Sequence, residues 1–550
     1  MEQLIDFHAP EVQAVLDTLL KDKSTGKNII WATDPPEELQ TVMYEPVTDR
    51  SQITTQQLGL THYEVVLPRM MKQTDTQQQR TRKKGEVFSP AWVCNKMNNA
   101  LDADWFRGLG AEETAGQFTV ETPVQFPVCK GRTPAWVQYV QSRRLEVTCG
   151  EAPFLASRYD AATGEMIPVA RRIGILDRKL RVVSENAATE DEWRKYATHA
   201  VQSTYGYEYQ GDNLLLARVN LLLTYAEHLQ AHWQRKPTKK ELQPIANIIA
   251  WNVWQMDGLH LSVPGGKPQP ETEQLDLFSM FGAAEPQPPT VSCKVKNWRK
   301  GSHGTAQNFE TIQEGSTSMK FDYVIGNPPY QETLQNTSDK PIYNDFMDAS
   351  YQISDKVELI TPARFLFNAG KTAKVWNEKM LNDVHLKVLY YEPDSSKVFS
   401  NTDIKGGVAI TYRDGNAEFG AIGSFTPYNE LNDILHRVKN HKSFVSIEKI
   451  VITSFAYHYT DRLHEDYPDA ASRLSKGHAY DLKSNAFDRL SDVYQDEKPD
   501  DGHDYIRIFG RQNNERTYKF IRRDYVNNVA NLDKYKLFMP KANGDRKSVV

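Results

Sequence analysis

The stretch Phe321–Tyr330 constrains the fold most, because a short apolar run is cut off by two prolines. The run Tyr323–Ile325 predicts a short buried strand. Pro328 and Pro329 lack a backbone N–H and have a fixed φ, so they end this strand and stiffen the loop after it. In open α/β sheets, ligands bind beyond the carboxyl ends of the strands. We therefore expect a sheet whose chemistry lies where its strands end.

The loop after this strand brings an amide, a carbonyl and an aromatic ring into one small space. The Asn327 side-chain oxygen and the Pro328 carbonyl can each accept one hydrogen of an exocyclic amine, and a planar ring can stack on Tyr330. A proline-rich turn that only closes a strand is the alternative. With its preceding strand, the loop resembles the Asn-Pro-Pro-Tyr loop of DNA amino-methyltransferases, which holds a flipped-out adenine. The resemblance implies four catalytic residues: Asn327, Pro328, Pro329 and Tyr330.

Three acidic residues stand at the ends of earlier predicted strands. Glu146 follows the first, where a carboxylate can bind an ammonium group. Glu208 follows the second, where an acidic residue binds ribose hydroxyls in dinucleotide sites. Asp257 follows the third and can accept from an amine, although an Asp-Gly turn is the simpler interpretation. Together with Asn327, this order indicates an α/β fold with a Rossmann-like sheet.

The resemblance implies S-adenosyl-L-methionine as the cofactor. Gly85–Pro90 resembles the segment that packs over the methionine end of this cofactor in the family. The positions implied to bind the cofactor are Ser89, Glu146, Thr148, Cys149, Gly150, Glu208, Asp257 and Phe346. Cys149 is interpreted as a small buried filler and not as a nucleophile. Tyr330 and Tyr412 are expected to stack on the target base, and Phe399 is the alternative to Tyr412.

Several local elements follow from residue patterns. Pro90 suits a first helical turn, so a helix over Trp92–Leu101 with Ser89 as its N-cap is predicted. Asp212–His228 has apolar residues at helical spacing. Three further elements are expected: a helix starting near Pro153, a hairpin made of Met166–Asp177 and Leu180–Ser184, and an antiparallel edge pair made of Val388–Tyr391 and Gly406–Tyr412.

The chain length requires more than one domain, since 550 residues exceed what one core organises. We expect a helical or mixed N-terminal extension over 1–84, a cofactor-binding catalytic domain over 85–423 and a target-recognition domain over 424–550. Asp545–Val550 reads like a translated sequencing adapter, so a truncated reading frame and an incomplete recognition domain are expected.

The net charge and the spacing of the cysteines limit which partners and which cellular environment are expected. The formal net charge is −5, so any DNA contact must come from local basic patches. Candidate patches are Arg80–Lys84, which a solvated loop explains equally well, and the basic-aromatic stretches Tyr505–Arg511 and Tyr518–Arg523. The four cysteines are widely spaced, which argues against a disulfide framework or zinc site and fits a reducing cytosol. No membrane span or signal peptide is predicted.

The resemblance as a whole is to the gamma group of adenine-specific DNA methyltransferases of restriction–modification systems. It implies site-specific methylation of the N6 amine of adenine in double-stranded DNA, in a prokaryotic or phage cytoplasm. A cognate restriction endonuclease is a further candidate partner. Two alternatives remain. One is a nuclease fused to the methyltransferase, because residues of the nuclease motif Pro-Asp…(Asp/Glu)-x-Lys occur at Pro468-Asp469 and Asp496–Lys498. The other is an N-methyltransferase acting on RNA or protein glutamine.

Overall fold

Two compact units make up the chain, Met1–Asn429 and Glu430–Val550. The computed structural model describes residues 4–535 except 44, 60–64, 73–75, 78–79, 81–86, 88, 104, 106–132, 266–289, 302, 318, 333–339, 400–401, 440, 446–449, 454–455 and 484. Described residues before position 85 belong to the first unit. The two predicted domain boundaries, after residues 84 and 423, stay predictions. Among the described helices, none combines the length and the apolarity that crossing a membrane requires.

The strands are short and mostly buried. In chain order they are β1 Arg144–Val147, β2 Thr204–Glu208, β3 Val253–Gln255, β4 Lys294–Asn297, β5 Thr305–Asn308, β6 Tyr323–Gly326, β7 Gln331–Glu332, β8 Lys340–Pro341, β9 Lys356–Pro362, β10 Leu386–Glu392, β11 Val408–Asp414, β12 Tyr505–Gln512 and β13 Glu515–Arg522.

The helices of the first unit surround the sheet. The α-helices are Pro10–Gln13, Leu16–Leu20, Glu37–Val42, Thr55–Leu58, Ala91–Asp102, Ala135–Gln141, Ile175–Asn186, Glu190–Gln202, Gly211–Trp233, Lys239–Asn252, Glu310–Gln313, Tyr343–Ile353 and Lys374–Asn382, followed by Asn429–Lys439 at the boundary of the units. In the second unit they are Asp461–Asp466, Ala470–Arg473 and Ala486–Arg489. Short 3₁₀ helices cover Arg69–Met71, Val169–Arg171, Ala363–Phe367, Ser395–Lys397 and Arg523–Tyr525.

A seven-stranded sheet with the order β10-β11-β9-β6-β1-β2-β3 forms the centre of the first unit. The five strands from β9 to β3 run parallel, and β11 is antiparallel to both β9 and β10. Strands β1, β2 and β6 are buried along their whole length, as parallel strands covered by helices on both faces must be. The predicted Rossmann-like sheet is therefore confirmed, and so is the antiparallel edge pair.

Three local predictions need correction. Residues 150–155 form turns, so no helix starts near Pro153. The predicted hairpin over 166–184 is wrong, because Ile175–Asn186 is a helix whose apolar residues face the core. The predicted helix after Pro90 is present as Ala91–Asp102, but Pro90 itself occupies the N-cap, and the Asp160 carboxylate, not Ser89, accepts from the Ala91 N–H at 2.9 Å. The Ser89 hydroxyl is therefore available for another contact.

A buried ionic cluster fixes the helix Ala91–Asp102 against the sheet. Asp102 accepts hydrogen bonds from Arg144 on β1 at 2.7 Å and from Arg178 at 2.9 Å, and the Tyr139 hydroxyl donates to it at 3.1 Å. All four side chains are almost fully buried. Removing one member of such a cluster would leave a buried charge without compensation. Because Asp102 is the last residue of the helix, the cluster holds the C-terminal end of this helix against the sheet.

Glu358 on β9 is a buried carboxylic acid in the middle of the sheet. Its side chain is fully buried, and neither oxygen has a hydrogen-bond partner among the described residues. Burial raises the pKa of Glu358 well above its ordinary value of 4.5, and the positive charges of Lys387 and Lys96 offset only part of that rise. The folded protein therefore keeps this acid protonated at pH values where the unfolded chain has lost the proton.

Glu358→Gln should remove a pH dependence of stability. Because the folded state holds the extra proton, the wild-type free energy of unfolding falls as pH rises above 4.5 and stops falling once Glu358 ionises in the folded state. Relative to the variant, the fall should approach about 1.4 kcal/mol per pH unit. Urea unfolding of both proteins from about pH 4 to pH 8 measures it. A constant difference across this range would show that Glu358 titrates normally.

The second unit has its own small core. It contains Phe487 and Leu490 from helix Ala486–Arg489 and its flank, Ile521 from β13, and Tyr525 and Val526 beyond it. Strands β12 and β13 form an antiparallel two-stranded ribbon from Tyr505↔Arg522 to Gln512↔Glu515. One face of this ribbon, through Ile506 and Ile508, packs against the core.

Candidate functional site

The four polar residues predicted at strand ends meet at one edge of the sheet. Glu146 is paired with Gly206 on β2 and with Ile325 on β6, and Asn327 is the first residue after β6. Glu208 is the last residue of β2 and lies beside Gln255, two residues before Asp257. Since these strands are parallel, their carboxyl ends open on the same side. The structure therefore brings the predicted polar set to a common edge.

The Asn327 amide is held in one orientation. Its Nδ2 donates to the Val87 carbonyl at 3.0 Å and to the Ser89 hydroxyl at 3.4 Å, while the Thr148 hydroxyl donates to the Asn327 backbone carbonyl at 3.3 Å. The Oδ1 atom is buried and has no hydrogen-bond partner in the described part of the chain. An unsatisfied buried acceptor is costly unless a ligand supplies a donor. Because the nitrogen of the amide is bound, its oxygen remains as an acceptor for a hydrogen-bond donor of a ligand.

Tyr330 lies beside this amide and is also unsatisfied. Its hydroxyl is buried without a partner among the described residues, and burial raises its pKa well above the ordinary range. Its ring faces that of Phe399, with centroids 6.5 Å apart. Tyr412, predicted to clamp the base, sits in the middle of β11, with Phe419 6.1 Å away and the Lys387 ammonium over its ring. The structure therefore places the ring of Phe399, the alternative clamp, near that of Tyr330, while the role predicted for Tyr412 stays a prediction.

The loop after β1 has an unusual backbone. Thr148, Gly150 and Ala152 have φ values of 48°, 54° and 64°. The Gly150 N–H donates to a Glu208 carboxylate oxygen at 2.9 Å, and the Cys149 N–H donates to the Tyr207 carbonyl at 2.8 Å. Glu208 thereby couples the ends of β1 and β2. Burial raises the pKa of the Cys149 thiol well above its ordinary value, so a thiolate nucleophile is disfavoured here.

Glu146 is a buried carboxylate without a cation beside it in the described chain. It is 1% exposed, and one of its oxygens accepts from the Leu155 N–H at 3.1 Å. Burial raises its pKa, the backbone hydrogen bonds of Phe154 and Leu155 partly counter this, and the negative charge of Glu208 adds to the rise. An ammonium group bound here would stabilise the ionised form. The donor set and the missing cation fit the methionine end of S-adenosylmethionine.

Asp257 and Phe346 are neighbours at the end of β3. The Asp257 carboxylate accepts from the backbone N–H groups of Leu259 and His260 and pairs with the His260 ring at 2.9 Å. A Cβ on Gly258 would lie 2.6 Å from the Phe346 ring, so only glycine permits this approach. The Asp-Gly turn is thus real, and it places a carboxylate beside a buried aromatic ring. Both roles predicted here, amine acceptor and ring contact, stay predictions.

A segment before Ser89 is fastened over the loop after β1. The Arg69 N–H donates to Glu151 at 2.6 Å, and Lys72 and Arg80 form ion pairs with Asp212 at 3.0 and 2.9 Å. We call the described residues of 69–80 the N-terminal strap. Asp212 opens the helix Gly211–Trp233 and is buried, and the two cations lower its pKa. Arg80 is therefore engaged in an ion pair, while residues 81–84 of the predicted basic cluster lie outside the described residues.

Two acidic residues of the predicted nuclease motif form ordinary ion pairs. Asp469 pairs with Arg473 at 3.3 Å, and Asp496 pairs with Lys519 at 2.6 Å. Within the described ranges, no group of three or more His, Cys, Asp or Glu side chains could hold a metal ion.

Sequence reasoning missed how the Asn327 amide is oriented. Val87 carries no reactive group, and Ser89 was assigned to the cofactor, yet together they bind this amide. No sequence signal marks a backbone carbonyl as such a partner.

Comparison with known proteins agrees with this geometry. Residues 202–399 match the Eco57I restriction-modification methylase family. The central part of this chain is similar to restriction-modification methylases. The methylase-matching segment, residues 202–399, contains Glu208, Asp257, Asn327 and Phe346, and the match confirms the resemblance inferred from the loop at Asn327. Glu146 and Ser89 lie before it.

Individual relatives match over limited lengths. An "Uncharacterized adenine-specific methylase" of Mycoplasma pneumoniae is 33% identical over 95 residues, which are 16% of this chain and 22% of the relative. Among solved structures, a nuclease-deletion mutant of the Type ISP enzyme LlaGI with a DNA substrate mimic overlaps 81% of this chain and 38% of that one, at 11% identity and a TM-score of 0.34. The Type I M.EcoKI M protein overlaps 72% and 55%, at 11% identity and a TM-score of 0.29. The chain thus spans about a fifth of the curated relative that it matches.

Proposed function

We propose that this protein transfers a methyl group from S-adenosylmethionine to the N6 amine of adenine in double-stranded DNA. The observation that carries the proposal is the Asn327 amide, whose nitrogen is held by Val87 and Ser89 while its buried oxygen has no partner in the described chain. An exocyclic amine supplies the missing donor. The match of residues 202–399 to restriction-modification methylases supports DNA as the substrate and modification within such a system as the role.

The residues at the strand ends divide between cofactor and base. Glu146 would hold the cofactor ammonium, Glu208 its ribose hydroxyls, and Asp257 with Phe346 its adenine. The loop Thr148–Gly150 and Ser89 complete the predicted cofactor set. When bound, S-adenosylmethionine supplies an electrophilic methyl carbon on a sulfonium. The parallel pairing of β1 with β6, in which Glu146 lies opposite Ile325, supports this division.

The base-binding residues orient the reacting nitrogen. The target adenine leaves the DNA stack, because the N6 amine cannot reach a pocket at the sheet edge from within the duplex. The Asn327 oxygen accepts one amine hydrogen, and the Pro328 carbonyl is the predicted acceptor of the other. Tyr330 and Phe399 enclose the ring. Fixing the lone pair in line with the methyl carbon supplies rate through alignment and preorganised dipoles, without a covalent enzyme intermediate.

This activity corresponds to EC 2.1.1.72, the class of the M.EcoKI M protein. We propose a prokaryotic or phage cytoplasm as the setting and a cognate restriction endonuclease as a partner in the same system.

Incubating the purified full-length protein with plasmid DNA and cofactor labelled in its methyl group tests the proposal. We expect label in DNA, recovered as N6-methyladenine after digestion to nucleosides. Transfer RNA and a glutamine-containing protein in parallel reactions test the alternative acceptors. Label in either of these and none in DNA would overturn the proposal.

A further inference from the structure

The ribbon of β12 and β13 has two chemically different faces. In an antiparallel pair, residues directly opposite each other point to the same side. The pairs Tyr505↔Arg522, Arg507↔Phe520, Phe509↔Tyr518 and Arg511↔Arg516 alternate with those that include Ile506 and Ile508. Since Ile506 and Ile508 pack against the core, the other face points away from it. That outer face, which we call the Arg-aromatic face, consists of four arginines and four aromatic residues and carries no acidic residue.

The ribbon is held rigidly from its inner side. A Cβ on Gly510 would lie 2.7 Å from the Phe487 ring, so glycine allows the helix Ala486–Arg489 to press on the ribbon. Asn513 and Asn514 have φ values of 50° and 69°, and a two-residue turn with both values positive suits the twist of a tight hairpin. The Arg-aromatic face is therefore presented by a braced element and not by a loose loop.

The side chains of the Arg-aromatic face have different contacts at the base, in the middle and at the tip of the ribbon. At its base, Arg522 is bound to Asp466 and Asp524, and the Tyr505 hydroxyl donates to Asp501. In the middle, the Arg507 guanidinium lies 4.7 Å from the centre of the Tyr518 ring. Towards the tip, Arg511 and Arg516 face each other and are exposed. The Arg511 guanidinium donates to the side-chain oxygen of Asn514 in the turn, and both groups stay exposed. Side chains that are bound to carboxylates at the base thus give way to exposed guanidinium groups at the turn.

A two-stranded ribbon with this chemistry suits the major groove of DNA. The groove, about 12 Å wide, admits a two-stranded β-ribbon, and its guanine edges offer two acceptors that match a guanidinium fork. Exposed arginines also attract phosphates, but a lysine does that equally well. What singles out base edges here is the use of arginine at all four basic positions of the face, on a rigid, narrow support.

We propose that the Arg-aromatic face enters the major groove and that Arg511 and Arg516 read guanine there. The site that the protein modifies then contains at least one G·C pair contacted by the turn of the ribbon. The inference rests on the proposed function for its choice of duplex DNA as partner. It adds the element and the residues that select the site.

Selecting bound duplexes from a random DNA pool with the full-length protein tests this without any methyl transfer. The wild type should enrich one motif that includes guanine. Arg511→Lys and Arg516→Lys keep the charge but lose the fork, so at least one of them should relax a single G·C position, with discrimination there reduced about 10- to 100-fold. Arg489→Lys, an exposed arginine on the helix behind the ribbon, should return the wild-type motif. Equal melting temperatures of all four proteins establish that the variants fold.

The outcomes separate this inference from the proposed function. If both ribbon variants return the unchanged motif, or weaken binding equally to all duplexes, the arginines do not read bases and the inference falls. It also falls if the wild type enriches no motif or prefers single strands or RNA. If the wild type enriches a motif that the ribbon variants relax but no adenine becomes methylated, the inference stands and the proposed function falls.

Discussion

Asn327→Ala should lower kcat for DNA adenine methylation about 100- to 1,000-fold, because it removes a preorganised acceptor at the reacting nitrogen. Cofactor affinity should stay near the wild-type value, since the predicted cofactor residues remain. The rate of label transfer at saturating DNA and cofactor measures kcat, and calorimetry with S-adenosylmethionine measures the cofactor affinity. Asn382→Ala, at an exposed asparagine on helix Lys374–Asn382, is the control and should be fully active.

Asn327→Asp makes this test sharper. The replaced nitrogen donates to the Val87 carbonyl at 3.0 Å, and a carboxylate oxygen there would face that carbonyl without a proton. We therefore expect Asp to be nearly as inactive as Ala, although it retains an acceptor for the amine. Activity of Asn327→Asp close to the wild type would show that the held amide orientation does not matter. Activity of Asn327→Ala close to the wild type would remove the loop from the mechanism.

Glu146→Gln should weaken S-adenosylmethionine binding about 10- to 100-fold, the usual worth of a charge-assisted hydrogen bond. The substitution keeps the shape of the side chain. The Leu155 N–H still has an oxygen to donate to, but this oxygen is neutral. The negative charge that would pair with the cofactor ammonium is lost. Isothermal titration calorimetry measures the dissociation constant directly.

Glu358→Gln is a matched control for this variant. Both residues are buried glutamates at the same level of the sheet, paired with Ile325 from its two sides, and burial raises both pKa values. Only Glu146 lies on the strand whose end forms the loop Thr148–Ala152. The control should bind the cofactor like the wild type. Equal affinities for the wild type and Glu146→Gln would contradict the assignment of Glu146.

The fold is predictable where apolar runs end at strong stop signals. Strand β6 stops at Gly326 before two prolines, and β9 is an apolar run that ends at Pro362. The helix Ile175–Asn186 is not predictable in this way, because Asp177, Arg178 and Lys179 are charged and yet buried. Their partners come from distant segments, as in the bonds from Lys179 to Ser203 and from Arg178 to Asp102. A pattern that assigns charges to the surface therefore misses this helix.

The candidate site is predictable in its residue types and not in its contacts. The four polar strand ends can be found because a glycine or a proline follows each within four residues, at Gly150, Gly211, Gly258 and Pro328. The orientation of the Asn327 amide cannot, since its partner Val87 lies 240 residues away and contributes a backbone atom. Phe399 and Tyr412 compete on sequence alone. The structure distinguishes them: the Phe399 ring lies near that of Tyr330, whereas the register of β11 pairs Tyr412 with Glu358 on β9.

The N-terminal strap bears on where the chain can be shortened. A fragment that began at residue 85 would keep every strand of the central sheet but lose Lys72 and Arg80, the two cations on Asp212. A buried carboxylate deprived of its partners costs about 3–5 kcal/mol, a large part of the stability of an ordinary domain. A shortened form of the first unit therefore needs the residues that precede the Ser89 segment, and trimming them would yield a less stable protein.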